Sequence, residues 1–447
     1  MFGKCVWLSR WGANLVVCAG LVSRATLASG EELVSPTGAE TWNWHAQTTT
    51  VFQSHPSFRA AYSGDNSLPS HAEAAASYTA TLYLGRRLWP GAELYVNPEF
   101  GGGRGIGNVS GLAAFPNGDL VHLNGQRPAV QLARVFLRQT VELGVDQERF
   151  DSGPNQLAGS YAASRLTFTF GRLTPSDTFD NNTYAHDPRT QFLNWALADN
   201  GAWDYPVNAH DTTWGAVVEL NQPRWALRYG IFTVPTEPDA VHFDHHFDKA
   251  QAHVAEFEWR YDWSNRPGKL RFLGFWNRAK LGSFRDALTT PLLGVDVAET
   301  RDYTSKLGWG VNWEQEFTDS LGGFARYGWN DGRTETMGFA DINETFSLGL
   351  SLDGSSWNRP ADQLGFSGII NGLSKAHRDY LAAGGDSLII GDGRLSYGYE
   401  EILECYYRCS LAKWLALTAD YQLVIHPAYN RDRGPVSVVS GRLHVEF

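Results

Sequence analysis

From Thr41 to Phe447 the chain reads as short segments in which apolar and polar residues alternate, and the connections between those segments alternate too. Every second connection is short and turn-like: RLWPG, NQPR, SNRPG, TDSLG, NRPADQ and SLAK. The intervening ones are mostly long, as in Arg104–Pro128, Thr174–Asp211, Phe284–Tyr303 and Lys375–Gly393. A sandwich or a propeller gives no reason for such a two-sided rule. A barrel standing across a membrane does, with tight turns at one end and long loops at the other. One stretch breaks the rule: Gly144–Ser164 stands where a tight turn is due and is too long for one.

The period-two segments lie at 41–52, 77–86, 92–100, 129–143, 165–173, 212–221, 225–234, 252–263, 269–281, 306–317, 323–331, 344–354, 364–371, 394–409, 414–425 and 436–447. That makes about sixteen antiparallel strands, an even number that leaves both termini at the turn end. No sustained helical pattern exceeds about a dozen residues. Within KLGWGVNWEQEF, Leu307, Trp309, Val311, Trp313 and Phe317 alternate with Lys306, Asn312, Glu314 and Glu316. In HVAEFEWRYDW, Phe257, Trp259, Tyr261 and Trp263 alternate with Glu256, Glu258, Arg260 and Asp262. Aromatic residues crowding one face near strand ends are expected of interfacial girdles, and the charges opposite them of a wet lumen. About sixteen strands enclose a space too wide for wall side chains to fill.

Composition agrees. Gly 46, aromatics at 13% and two Met in 447 residues favour strands and turns over helices. No apolar run of about 18 residues follows the N-terminus, which excludes a helical membrane protein. The formal charge of -11 speaks against a nucleic-acid partner. Lys4 and Arg10, the apolar run Trp11–Val22 and the small residues of TLASG make residues 1–28 a secretory signal, with cleavage expected after Ala28 or Gly30. The barrel domain is then 41–447. Cys405 and Cys409, four apart on a strand, are about 13 Å from each other, too far for a disulfide.

The chain carries no nucleophile elbow, phosphate loop or zinc signature in a fitting context. GGGRGIGN (Gly101–Asn108) opens no βαβ unit, HFDHHF (His242–Phe247) lies in a polar loop, and Glu256 with Glu258 is the by-product of a charged wall. No cofactor and no metal is expected. The inward faces carry Glu93, Glu99, Arg134, Arg138, Glu142, Glu219, Arg228, Glu256, Glu258, Arg260, Lys306, Glu314, Arg326, Glu404, Arg408 and Arg442. Interspersed signs offer hydrogen bonds to hydroxyls with little net field for ions. Tyr83, Tyr95 and Tyr406 share that face and can stack on sugar rings.

Three blocks carry a family likeness. Phe170–Gly215, Glu93–Leu120 and Leu417–Asn430 resemble signature regions of the carbohydrate-selective porins of the OprB type, and the similarity extends over essentially the whole mature chain. The resemblance implies an all-β, sixteen-stranded transmembrane barrel in the bacterial outer membrane. It implies long extracellular loops, short periplasmic turns, and a sugar channel narrowed by inward-folded loops and lined with Arg and Glu. Its matched blocks add Arg104, Arg172 and Arg189 to the candidate sugar contacts, which are otherwise Glu93, Glu99, Arg134, Arg138, Arg228, Glu258, Arg326 and Arg408. Arg172 is out of phase with Thr167 and Thr169 and needs a bulge to face the lumen. Thr174–Asp211, with helical spacing in RTQFLNWALADNGAW, is expected to fold into the pore. Expected partners are the permeant sugar, outer-membrane lipid and, through the C-terminal Phe447, the barrel-assembly machinery. A less selective porin, a polysaccharide-export channel and a barrel enzyme are the alternatives. Oligomeric state is not legible.

Overall fold

The computed structural model describes residues 39–119, 128–289, 295–338 and 341–447; residues 1–28, read from the sequence as a signal, lie outside them. The strands are β1 (Trp42–His55), β2 (Glu73–Trp89), β3 (Ala92–Gly103), β4 (Ala129–Glu142), β5 (Gln147–Phe150), β6 (Gly159–Ala162), β7 (Arg165–Leu173), β8 (Thr213–Gln222) and β9 (Trp225–Phe232). They continue as β10 (Gln251–Trp263), β11 (Arg266–Leu281), β12 (Asp302–Glu316), β13 (Leu321–Asn330), β14 (Glu344–Gly354), β15 (Arg359–Gly372), β16 (Glu400–Ala412), β17 (Leu415–Ile425) and β18 (Val436–Glu446). All except β5 and β6 form one closed antiparallel barrel of sixteen strands. β1 closes it by pairing with β2 on one side and β18 on the other, so both ends of the barrel chain lie at the turn end.

Closure removes the sheet edges that an open sheet of this size would expose. The alternation in the sequence becomes inside and outside. Phe257, Trp259, Leu307 and Trp309 are exposed on the outer face, while their neighbours Glu256, Glu258, Lys306 and Asn312 are buried inside. Trp42, Trp89, Trp225, Trp263, Trp414 and Phe447 are exposed near the turn end, and Trp214, Tyr229 and Trp276 nearer the loop end. These are two aromatic belts around an apolar band.

Three details depart from the alternation. The strand read as 394–409 begins only at Glu400, since Tyr397 leaves the wall to bridge Asn430. NRPADQ is not a turn but opens β15; the turn is Ser355–Asn358, with Asn358 in the left-handed region at φ 60°. Pro98 lacks an N–H for the ladder, and the β3–β4 register shifts beside it: Asn97 pairs with Arg134 and Pro98 with Leu132, leaving Ala133 as a bulge.

The hydrophobic core lies inside the barrel, between wall and loops. Phe192 from the segment 174–212 packs edge-on against Phe324 and Tyr406, at centroid distances of 5.6 and 4.9 Å. Phe179 meets Trp203 and Phe232 in the same way. Only Trp195–Ala198 of the helical-looking RTQFLNWALADNGAW is helical, capped by the Asn194 side chain. Among the described residues Cys405 and Cys409 are free.

Candidate permeation site

The segment 174–212 leaves β7 at the loop end and turns down into the barrel. Charged wall residues hold its backbone. Glu404 accepts from the N–H groups of Leu193 and Asn194 at 2.5 and 3.1 Å, Glu256 from Asp180 at 2.7 Å, and Glu314 from Thr183 at 2.8 Å. Arg326 donates to the carbonyls of Leu197 and Asp180 at 2.6 and 3.0 Å and ion-pairs with the Asp180 carboxylate at 3.1 Å. Arg442 donates to Pro188 and Gln191 at 2.6 and 2.8 Å, and Lys306 pairs with Asp204 at 3.2 Å. Buried backbone groups outside regular structure need partners, and here the wall supplies them. Glycines let the loop come close: Gly310 and Gly328 pair across β12 and β13, and a Cβ at Gly328 would lie 1.9 Å from Asn200 Oδ1.

On the opposite wall, β2–β4, the loop leaves space. A cavity of about 570 Å³ is lined there by Tyr83, Glu99, Arg134, Phe136 and Arg138 of the wall and by Phe115, Asp119, Asp177, Arg189, Trp195 and Asp211 of the loops. Its cations are mostly matched. Arg134 grips Asp177 with two bonds of 2.6 Å, and Arg189 reaches Asp119 at 2.6 Å and Glu99 at 2.9 Å. Arg138 makes no ion pair among the described residues; it lies 5.1 Å from the Tyr95 ring and donates to the Asn155 carbonyl at 3.0 Å. Phe115, Trp195 and Tyr205 stack in series at 5.6 and 6.3 Å, giving the cavity an aromatic flank.

Two smaller spaces continue toward the turn end. One, about 250 Å³, shares Arg138, Gln156, Asp177 and Asn181 with the first. The other, about 350 Å³, runs beside a chain of ion pairs in which Arg228 meets Glu256 and Glu258 at 2.7 and 3.3 Å, and Arg271 joins Glu258 to Glu314 at 2.7 and 3.1 Å. Alternating signs neutralise one another across this wall.

Among the loop carboxyls at the cavity, Asp199 and Asp211 are shifted far from the ordinary range. Burial, reinforced by the Asp180 charge, pushes Asp199 well above the usual carboxylate range. Burial pushes Asp211 up to about 7 against the pull of Arg134. Both changes thin the negative charge around the cavity at neutral pH.

The candidates from the sequence separate by place. Arg134, Arg138, Arg189 and Glu99 line the main cavity; Glu93, Arg228 and Glu258 line the smaller ones. Four lie elsewhere. Arg326 is a buried anchor of the loop, since carbonyls at the end of the short helix need donors. Arg104 is ion-paired to Glu73 at the loop end. Arg408 bonds Ser410 at 3.1 Å near the turn end. Arg172 faces outward: the ladder runs without a bulge from Phe170, pairing Arg172 with the outward Val135 and Trp214, and its Nε donates to Thr212 Oγ1 at 3.1 Å. Of the three tyrosines read from the strands, Tyr83 lines the cavity, while Tyr406 is buried beneath Phe192 and Tyr95 beneath Arg138. Alternation along strands carried no signal for Asp119, Asp177, Trp195 and Asp211, which reach the cavity from loops.

A sixteen-stranded barrel with a loop folded into its lumen and a string of polar spaces beside it is the geometry of a porin. The family model described as "Carbohydrate-selective porin, OprB family" matches residues 65–447. The chain belongs to the carbohydrate-selective porins of the OprB family. Among solved structures, the high-pH form of Pseudomonas putida OprB resembles this porin at 18% identity, covering 91% of this chain and 94% of that one, with a TM-score of 0.69. The low-pH form gives 14% identity, full coverage of both chains and a TM-score of 0.51. The outer-membrane channel DcaP of Acinetobacter baumannii gives 11%, 94% of this chain, 100% of that one and 0.52. At such identities these likenesses concern the fold. No curated protein matches the chain in sequence. This porin is an outer-membrane protein, with its loop end extracellular and its turn end periplasmic.

Proposed function

We propose that this porin passes neutral mono- and disaccharides by passive diffusion, without catalysis, and that the cavity between the β2–β4 wall and the segment 174–212 is where a sugar is held in transit. One observation carries the reading: the cavity's arginines Arg134 and Arg189 are matched by carboxylates within 2.9 Å, so the space is rich in hydrogen-bonding groups yet weak as an ion trap. A sugar exchanges water for those groups and for the faces of Trp195 and Phe115, and the 570 Å³ available suits a small saccharide rather than a polymer. Arg138, without a carboxylate of its own, is the donor we assign to a sugar hydroxyl. Phe447, stacked on Trp414 at 5.8 Å, is the end of the chain we assign to the barrel-assembly machinery, after export and loss of residues 1–28.

Swelling of proteoliposomes in a graded series of sugars tests the reading. Monosaccharides should enter fastest and disaccharides more slowly, without product formation. A refolded protein that conducts ions but admits no sugar would refute it, and equal entry of all sizes would indicate a general pore.

A further inference from the structure

The stretch that broke the turn rule, Gly144–Ser164, is neither a turn nor a loop spread over the periplasmic mouth. It is a second inserted element. β5 and β6 pair as a hairpin separate from the barrel sheet, and the tip closes with Gly153 and Gln156 exchanging two backbone bonds of 3.0 Å. Asn155 sits at the tip in the left-handed region, φ 54°, as tight turns require.

The hairpin base is fixed to the periplasmic end of the wall. Tyr161 donates to Glu93 at 2.6 Å, the Ala162 N–H to Glu142 at 2.7 Å, and Arg165 pairs with Glu148 at 2.7 Å. From there the tip reaches up into the lumen. Asn97, in the middle of β3, donates to Asn155 Oδ1 at 2.9 Å, and Leu157 is buried against Tyr95 and Phe136. Pro154, Asn155 and Gln156 consequently line the same cavity as Arg189 and Trp195, which arrive from the extracellular end.

We propose that the β5–β6 hairpin is the exit-side jaw of the constriction and a determinant of permeant size. The segment 174–212 narrows the channel from outside, the hairpin narrows it from the periplasm, and a sugar passes between them. The tip also positions Arg138, which makes no ion pair among the described residues: it donates to the Asn155 carbonyl from between the main cavity and the next space toward the periplasm. The inserted chain is small and lies outside the barrel ladder, held by side-chain bonds, by a backbone bond of 2.9 Å from Glu40 to Ala158 and by the packing of Leu157, so its removal takes no strand pairing from the barrel. This inference deepens the proposed function and rests on it.

Two variants test it. The first replaces residues 147–162 by a short turn. The second is Pro154→Cys in a chain whose Cys405 and Cys409 are serine, treated with a bulky, membrane-impermeant thiol reagent from the periplasmic side. The truncation should raise single-channel conductance by at least about two-fold and admit larger oligosaccharides in the swelling assay, since conductance follows the narrowest section. Labelling Pro154→Cys should cut both current and sugar entry. A folded truncation with unchanged conductance and size limit overturns the proposal; so does complete labelling that leaves current unaltered, and this second outcome is decisive even where the truncation does not refold. Wild-type protein measured alongside separates the two readings. If it admits no sugar, the channel assignment fails; if it does and the variants match it, only the hairpin's role fails.

Discussion

The inner wall of this porin is two surfaces made from one alphabet. From β10 round to β18, charged residues such as Glu256, Glu314, Arg326, Glu404 and Arg442 face inward and spend their hydrogen bonds on the backbone of the segment 174–212. From β2 to β4, Glu99, Arg134 and Arg138 face inward and border open space. Residue type does not distinguish the two groups; how closely the segment 174–212 lies against them does, since it sets its backbone on the first and reaches the second only through the side chains of Asp177 and Arg189 across a cavity. A charge on a barrel's inner face is therefore evidence of water or of a buried polar partner, and the position of the inserted chain decides which.

Removing that chain should break the contrast altogether. Deletion of 190–203 takes both backbone partners from Glu404 and part of those of Arg326 and Arg442, and single-channel conductance in planar bilayers should rise several-fold with loss of sugar-dependent block; unchanged conductance would refute a constricting role for the segment. Arg326→Ala is a milder version on the anchoring side. It leaves the buried Asp180 carboxylate without its cation, with only the neutral donors Asn200 and Asn312, and the Leu197 carbonyl without its donor, a loss of about 3–5 kcal/mol for a broken buried pair. The expected signature is noisier, larger openings and faster proteolysis within 174–212, with sugar block reduced only as a consequence.

Arg138→Ala acts on the other surface. A hydrogen bond from a charged donor contributes about 1.5–3 kcal/mol. Sugar block of ion current should weaken by about ten-fold while open-channel conductance changes little. Arg172→Ala, outside the lumen, is the matching control and should leave block untouched. A result in which Arg326→Ala weakens block with a quiet, unchanged pore, while Arg138→Ala does nothing, would reverse the assignment of the two walls.

The smallest effect concerns pH. The Asp211 carboxyl, held up to about 7 by burial, is mostly neutral near pH 6 and mostly charged near pH 8. Charge gained as pH rises makes the cavity more attractive to cations, so the cation-to-anion permeability ratio from reversal potentials should climb across that window. In Asp211→Asn the climb should flatten.

Much of the barrel was legible in the sequence because membrane β-structure writes one rule on every strand, apolar out and polar in, and a second rule on the connections. The even strand count and the outward Trp309 and Trp259 follow from those rules alone. The family likeness supplied Arg189, which no strand phase could place. The rest was hidden by geometry that the rules do not encode. Nothing in the strand containing Arg326 reveals that Leu197 and Asp180 will lie against it, because that contact joins residues more than a hundred positions apart. The need for Gly310 and Gly328 opposite Asn200 is likewise visible only once the loop is inside. Arg172 was misleading for the opposite reason: it lies in a signature block, yet its phase, read plainly, already pointed outward.

The bulge beside Pro98 has a wider consequence. In β4 the polar Gln131 and the pair Arg134 and Arg138 sit on opposite parities, and a uniform strand would have to send one set into lipid. Ala133, as the extra residue, lets odd positions face water above it and even positions face water below. A pore of this architecture can thus be rewritten by length as well as by substitution. One inserted or deleted residue exchanges the chemistry of a whole stretch of wall between membrane and channel, and selectivity can change in a single step that no residue-by-residue comparison would show.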